Sequence, residues 1–189
     1  NDVASPGIFI VRLDDPFRHI EIVADSSTPW ISPSKQNDHH MIAFSDPIIG
    51  QNGEDENDYE IVFVAQSNQG VYGIFSYLTS TKSLRLVADT NNTEFMEFPF
   101  LPSLVSGRLM FQAVTKNQEP ALFVRGTDTT IERVISLSDL HVSNDTTPFV
   151  YMLFTQGGHD GCGNAVLYAS SQLADYILQL PSFDSSLCL

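Results

Sequence analysis

The sequence predicts an all-β fold. Short runs of β-branched and aromatic residues recur along the chain, and each run is bounded by Gly, Pro, Asn, Asp or Ser. This is the pattern of strands joined by tight turns. Apolar residues at helical spacing are almost absent, and several of the runs return as copies of one another. These observations together favour a domain built from repeated small β-sheet units.

The predicted strands follow from the clearest of these runs. Each combines residues of high β-propensity with a turn signal on either side. A weak helical pattern occurs only at residues 170–177. The predicted strands cover residues 8–11, 20–23, 41–44, 60–64, 73–75, 84–87, 109–111, 121–124, 149–154, 165–168 and 176–180.

Internal repetition refines this fold class. Gly7-Ile8-Phe9 returns as Gly73-Ile74-Phe75 and more loosely as Ala121-Leu122-Phe123, and Val23-Ala24-Asp25 returns as Val87-Ala88-Asp89. One repeat holds four short strands in about 45 to 65 residues, the size of a propeller blade. The sequence thus predicts one β-repeat domain over residues 1–189, with about three blades plus an incomplete one, acting alone or within a larger ring or assembly. The predicted units cover approximately residues 7–66, 73–115, 121–156 and 165–181.

Three motifs resemble those of a known family. They are a Gly-Ile-Phe strand, a Val-Ala-Asp-Thr turn and a Pro-Ser-Leu-x-x-Gly strand, found at residues 73–93 and 101–113 with a weaker copy at residues 7–65. The chain resembles secreted bacterial and algal β-propeller-like repeat proteins of unknown function. The resemblance implies a propeller-like fold and an extracellular location, and it implies no activity. The third copy departs from the pattern, because Ile135-Ser136 stands where Ala-Asp is expected.

Composition limits the kinds of partner that the chain can bind and the compartment in which it is expected. The 189 residues include 9 Lys and Arg against 23 Asp and Glu, giving a formal net charge of −14. Such a surface repels nucleic acid and anionic lipid, and no apolar run approaches the roughly 20 residues that span a bilayer. The chain begins at Asn1 rather than Met, which suggests that a leader or an upstream segment has been removed and is compatible with secretion. The sequons at Asn91 and Asn144 are candidate glycosylation sites.

Cys162 and Cys188 are the only cysteines, and an even count near one end of the chain favours a single disulfide. Such a bridge would contribute about 3 kcal/mol by loop entropy. The alternative is two separate buried thiols. His159 lies near Cys162 in a glycine-rich segment, but no third group that could orient a catalytic thiol is evident.

The acidic segment 51–58 is a candidate calcium site. Asn52, Glu54, Asp55 and Asp58 supply the hard oxygen ligands that Ca²⁺ prefers, although the spacing is not that of an EF-hand. The alternative is a solvated acidic loop. Calcium is the only cofactor that the sequence suggests.

Three further groups of residues have structural interpretations that outweigh functional ones. Asp25 and Asp89 follow identical dipeptides, so we expect each carboxylate to accept a backbone N–H two residues on and to fix a turn. His39 and His40 are adjacent and would point to opposite faces of an extended segment, which disfavours a shared metal. A set of aromatic residues could stack on sugars or pack in the core. They are Trp30, Tyr59, Tyr72, Tyr77, Phe98 and Phe100.

The sequence therefore predicts a non-enzymatic extracellular module for structural assembly or for binding proteins or glycans. Expected partners are other protein chains or further copies of this one. Two alternatives remain: a hydrolytic propeller such as a carbohydrate-active enzyme, whose carboxylates would meet in a pocket, and a calcium-dependent adhesion or lectin-like module.

Overall fold

The structure is a computed structural model that describes residues 6–11, 16–31, 39–52, 58–91, 94–105, 107–126, 129–141, 147–154 and 164–180. Within these residues the fold is all-β, with antiparallel strand pairing throughout and one short 3-10 helix, Leu137–Asp139. The predicted all-β class is confirmed. No helix in the described part of the chain is long and apolar enough to cross a membrane.

The strands of the described residues form four sheets, which we number I to IV in chain order. Sheet I pairs β1 with β2. Sheet II has the order β3-β5-β6-β7, with β4 also on β5, and sheet III repeats it as β8-β10-β11-β12, with β9 also on β10. Sheet IV has the order β13-β14-β15. The strands are β1 Gly7–Val11, β2 Ile20–Asp25, β3 Met41–Phe44, β4 Ile48–Gln51, β5 Tyr59–Ser67, β6 Tyr72–Leu78, β7 Ser83–Asp89, β8 Phe95–Glu97, β9 Ser103–Val105, β10 Arg108–Thr115, β11 Pro120–Arg125, β12 Ile131–Ser136, β13 Phe149–Leu153, β14 Ala165–Ser171 and β15 Asp175–Leu180.

Each predicted strand lies on an observed one, although several observed strands extend further. Strands β4, β8, β9 and β12 were not predicted. The weak prediction of a helix at residues 170–177 was wrong, since these residues contain the end of β14, a turn and the start of β15. Short strands such as β8 have too few residues to show a period of two, so pairing with a neighbour decides their conformation.

The last two strands of sheets I, II and III share one register. Gly7 pairs with Asp25 and Gly73 with Asp89, and in sheet III Ala121 takes the glycine position. A bulge follows the second pair in all three sheets. Ser136 therefore stands where the other copies have Asp, as the sequence repeat indicates. The sequence repeat corresponds to a repeated pair of strands with a common irregularity.

A second shared irregularity relates sheets II, III and IV. In each, a buried residue on the first strand faces a Ser or Thr near the end of the next strand, and a bulged residue follows. The equivalent pairs are Met41 with Ser67, Phe95 with Thr115 and Phe149 with Ser171. Sheet IV thus matches the first three strands of a complete sheet, while sheet I matches the last two.

The sheets begin at a different point from the predicted units. The Gly-Ile-Phe strand that opens each predicted unit is β6 in sheet II, the third strand in its order, and is followed only by β7. The predicted unit 73–115 therefore joins the end of sheet II to the start of sheet III.

Consecutive sheets pack face to face, with an apolar cluster between each pair. Ile8 of sheet I shares a cluster with Phe75 of sheet II. Ile74 on the other face of sheet II shares the next cluster with Phe123 of sheet III, and Leu122 packs in the third cluster, with residues of sheet IV. We call the face toward the following sheet the leading face and the opposite one the trailing face.

A close approach explains the glycine that opens the repeat. A Cβ at Gly73 would lie 2.9 Å from Cζ2 of Trp30 and 3.0 Å from Cε2 of Phe75. At Gly7 it would lie 2.7 Å from the carbonyl oxygen of Ala24. Distances this short leave no room for a side chain, so the glycine permits close packing around the aromatic core.

Candidate functional site

The candidate calcium segment is described only at its two ends. Asn52 donates from Nδ2 to Asp58 Oδ2 at 2.8 Å, and the backbone N–H of Ser80 donates to Asp58 Oδ1 at 3.2 Å. These bonds hold the pKa of the Asp58 carboxyl below its usual value. They also fix the base of the loop between β4 and β5. Glu54 and Asp55 lie outside the described residues, so calcium binding stays a prediction.

Other predicted modification sites are only partly described. Asn91 is exposed in the turn after β7, whereas Asn144, Cys162 and Cys188 lie outside the described residues, as does the glycine-rich segment around His159. Glycosylation and the disulfide therefore stay predictions. Within the described residues, no group of three or more His, Cys, Asp or Glu side chains could hold a metal ion.

Asp25 fixes its turn as the sequence predicts. Its Oδ1 accepts the backbone N–H of Ser27 at 2.9 Å, and the Thr28 hydroxyl accepts the backbone N–H of Asp25 at 2.9 Å. In sheet III the turn is closed in a related way, because the backbone N–H of Ser136 donates to Asp139 Oδ2 at 3.0 Å. These hydrogen bonds serve turn geometry and leave Asp25 a structural role.

These turn carboxylates predict a loss of stability in acid. Hydrogen bonds, chiefly from the Ser27 and Ser136 side chains, lower the pKa of Asp25 and Asp139 from 3.8. A lowered folded pKa gives stability that is fully present above the unfolded pKa and lost as pH falls through the folded one. We expect the urea midpoint to fall between pH 5 and pH 3, and to fall less in a variant carrying Asp25→Asn and Asp139→Asn.

The matched control is Asp46→Asn, since the Asp46 side chain accepts no hydrogen bond from the described residues. It should leave the acid dependence unchanged. Equal acid dependence in the double variant and the control would contradict the assignment of this stability to the turns.

The candidate sugar-stacking aromatics do not form one surface. Trp30 and Tyr77 are buried, and Trp30 packs edge-on against Phe75 with ring centroids 4.9 Å apart. Tyr59 and Tyr72 are exposed, but they begin the neighbouring antiparallel strands β5 and β6 and so lie at opposite ends of sheet II. The core-packing interpretation accounts for the buried members.

The trailing face of sheet I is apolar and exposed. Phe9 is equivalent to Phe75 and Phe123, which are 0% and 1% exposed against the preceding sheets, yet Phe9 is 47% exposed. Its cross-strand partner Ile22 is also exposed, as is the neighbouring pair Val11 and Ile20. We call Phe9, Val11, Ile20 and Ile22 the first end face.

The leading face of sheet IV has the same character. Ile177 is equivalent to Ile74 and Leu122, both 0% exposed against the following sheets, but it is 79% exposed itself. Its cross-strand partner Tyr168 and the nearby Tyr151 are also exposed, with ring centroids 6.2 Å apart. We call Tyr151, Val166, Tyr168 and Ile177 the last end face.

A buried ion pair joins sheets II and III. Arg125, at the end of β11, donates to both carboxylate oxygens of Glu60 at 2.6 and 2.7 Å, and to the carbonyl of Gly107 at 3.2 Å. The Ser76 hydroxyl also donates to Glu60. Glu60 is 2% exposed. With both oxygens bound, this carboxylate is poorly placed to act as a general base.

Two small cavities lie beside this ion pair, with volumes of about 230 and 130 Å³. Both are lined by Arg85, Arg125 and Thr129. We call them together the arginine cleft. Sequence reasoning missed it, because its residues come from different sheets. The only early signal is Glu60, a carboxylate that directly precedes the apolar run 61–64.

No protein-family model matches the chain, and no curated protein matches it either. The fold and the described sites define an all-β protein of several antiparallel sheets with two apolar end faces and one charged cleft.

Proposed function

We propose that this chain is a non-enzymatic, extracellular propeller-type module that assembles head to tail with further copies of itself. The observation that carries the proposal is the pair of exposed end faces. At the centre of each lies a residue, Phe9 or Ile177, whose equivalents in the inner sheets are buried against a neighbouring sheet. An exposed apolar face of this kind marks an association surface.

The inner interfaces indicate how the end faces would meet. Between sheets II and III, Ile74 of one leading face and Phe123 of the next trailing face belong to the same core cluster. Ile177 and Phe9 occupy the equivalent positions on the last and first end faces. Placing sheet I of a second copy against sheet IV would therefore continue the stacking found inside the chain.

Head-to-tail contacts of this kind are heterologous, so they produce a closed ring if the rotation closes and a filament if it does not. Ring closure is how a propeller removes its open ends. Sheets II and III each present four successive strand positions in antiparallel order, as a propeller blade does. The repeated register and face-to-face stacking support a propeller-type arrangement of the chain and its neighbours.

The extracellular location is supported by the sequence. The even number of cysteines favours an oxidising compartment, and the sequons and net charge of −14 suit a secreted chain. The non-enzymatic assignment is supported by the arginine cleft, whose only lining carboxylate among the described residues is Glu60 in its ion pair.

The particle mass of the isolated chain tests the proposal. The chain has a mass of 20.9 kDa, and we expect sedimentation to give a multiple of it. Ile177→Asp should reduce the particle to a monomer, because a charge cannot be buried cheaply in an apolar interface. Leu173→Asp is the matched control: Leu173 is 78% exposed but lies in the turn between β14 and β15.

A mixing experiment separates head-to-tail from symmetric pairing. Phe9→Asp disables the first end face and Ile177→Asp the last, so each variant alone should be monomeric. A mixture of the two retains one intact face of each kind and should yield a dimer of one of each. A monomeric wild-type chain would overturn the proposal, as would a self-dimer of either variant.

A further inference from the structure

The interface between sheets II and III differs chemically from the one before it. Between sheets I and II, the Tyr77 hydroxyl donates to Glu21, which also accepts from Lys82 Nζ at 2.8 Å. Register makes Arg85 equivalent to Glu21, and Arg125 equivalent to Tyr77. A hydrogen-bonded pair in one interface is therefore replaced by two guanidinium groups in the next.

Two guanidinium groups cannot hydrogen-bond to each other, and the structure has a cavity between Arg85 and Arg125. Both parts of the arginine cleft are lined by Arg85 and Arg125. Arg125 is neutralised by Glu60, yet its Nε is buried without a hydrogen-bond partner. The Arg85 side chain has no hydrogen-bond or ion-pair partner among the described residues. Among the described residues, the positive charge of Arg85 in the cleft is therefore uncompensated.

This charge stands out against the composition of the chain. Acidic residues outnumber Lys and Arg by 23 to 9, yet no carboxylate of the described residues pairs with Arg85. Arg85 instead faces a cavity on the leading face of sheet II, opposite the strand end that carries Arg125. Arg85 is itself exposed, and an exposed guanidinium that lines a cavity beside a buried one can recognise an oxyanion.

We propose that the arginine cleft binds a small organic acid or phosphate, with its oxyanion held by Arg85 beside the Glu60–Arg125 pair. A planar guanidinium can donate two parallel hydrogen bonds to a carboxylate or a phosphate. The Thr129 side chain lines the same space and carries a hydroxyl donor. The larger cavity, about 230 Å³, is smaller than the usual drug-sized pocket, so the ligand is small.

The test is titration calorimetry with three probes: inorganic phosphate, succinate and citrate, each against chloride at matched ionic strength. We expect the wild-type chain to bind at least one of them saturably. Arg85→Gln should weaken that binding by about tenfold or more, since the uncompensated charge is gone. It leaves the buried ion pair intact, so the variant should melt at the wild-type temperature.

The matched control is Arg133→Gln, which removes an exposed arginine from β12, the strand of sheet III equivalent to β7. It should bind like the wild-type chain. Arg85→Lys should retain part of the affinity for phosphate but lose more for the carboxylates, because the two parallel hydrogen bonds of a guanidinium are lost. Comparing the probes shows which oxyanion the cleft prefers.

Three results would overturn the inference: no saturable binding of any probe up to about ten millimolar, unchanged binding in Arg85→Gln, or equal weakening in Arg133→Gln. Repeating the titration in the Ile177→Asp variant separates this site from assembly. Binding there would stand even if the head-to-tail proposal failed, since the cleft lies between two sheets of a single chain.

Discussion

Glu60→Gln should lower the free energy of unfolding by about 3 to 5 kcal/mol, the usual cost of removing one partner from a buried ion pair. The amide accepts less strongly than the carboxylate and leaves the Arg125 charge buried and uncompensated. The Ser76 hydroxyl loses a charged acceptor as well. Urea unfolding followed by tryptophan fluorescence measures the change, since the single Trp30 is buried in the adjoining core.

A matched control and a rescue variant test whether the loss of stability comes from the unpaired Arg125 charge. Glu132→Gln removes an exposed carboxylate and should change stability by no more than about 0.5 kcal/mol. The double variant Glu60→Leu with Arg125→Met should recover much of the loss, because no charge is then left unpaired. A double variant less stable than Glu60→Gln would show that the ion pair stabilises the fold by more than the neutralisation of its two charges.

Much of the fold could be predicted from the sequence because strand patterns are local. Runs such as residues 60–64 and 121–124 combine high β-propensity with clear turn signals, and both lie on observed strands. The turn at Asp25 was also predictable, since its hydrogen bonds reach only two and three residues along the chain. Strands of three residues, such as β8 and β9, depend instead on pairing with β10.

The boundaries of the sheets could not be predicted from the repeats alone. A sequence repeat shows which residues are equivalent, but the point at which one sheet ends depends on long-range pairing. Gly73 opens the clearest copy of the repeat in this chain, yet its strand is the third of sheet II because β3 and β5 precede it in the strand order. The first strand of sheet II can be located only when the strands that pair with β5 are known.

The end faces and the arginine cleft could not be predicted from the sequence either. Phe9, Phe75 and Phe123 look alike in their motifs, and only the stacking order shows that no other sheet of the described residues packs on Phe9. Arg85 and Arg125 lie on different sheets and carry no shared motif. Whether a side chain packs in the core or lies on the surface depends on how the sheets pack, and the local sequence does not show this.

Phe123→Ala should lower the free energy of unfolding by about 3 to 5 kcal/mol, whereas the equivalent Phe9→Ala should cost about 1 kcal/mol or less. Phe123 stacks on Phe111 with centroids 5.6 Å apart, meets Phe95 edge-on at 5.1 Å and shares a buried cluster with Ile74 of sheet II, so its removal leaves a cavity between two sheets. Phe9 is half exposed and leaves no enclosed cavity. Both should be measured by urea unfolding in the Ile177→Asp background, which removes any contribution from assembly.

The contrast between two equivalent phenylalanines tests the stacking order itself. Phe75→Ala should resemble Phe123→Ala, because Phe75 also packs on a preceding sheet and stacks on Phe63 at 5.8 Å. In the wild-type background, Phe9→Ala should instead weaken assembly, since the second copy proposed to cover it would lose an apolar anchor. A cost at Phe9 equal to that at Phe123 in the monomeric background would mean that the first end face is already covered within the chain.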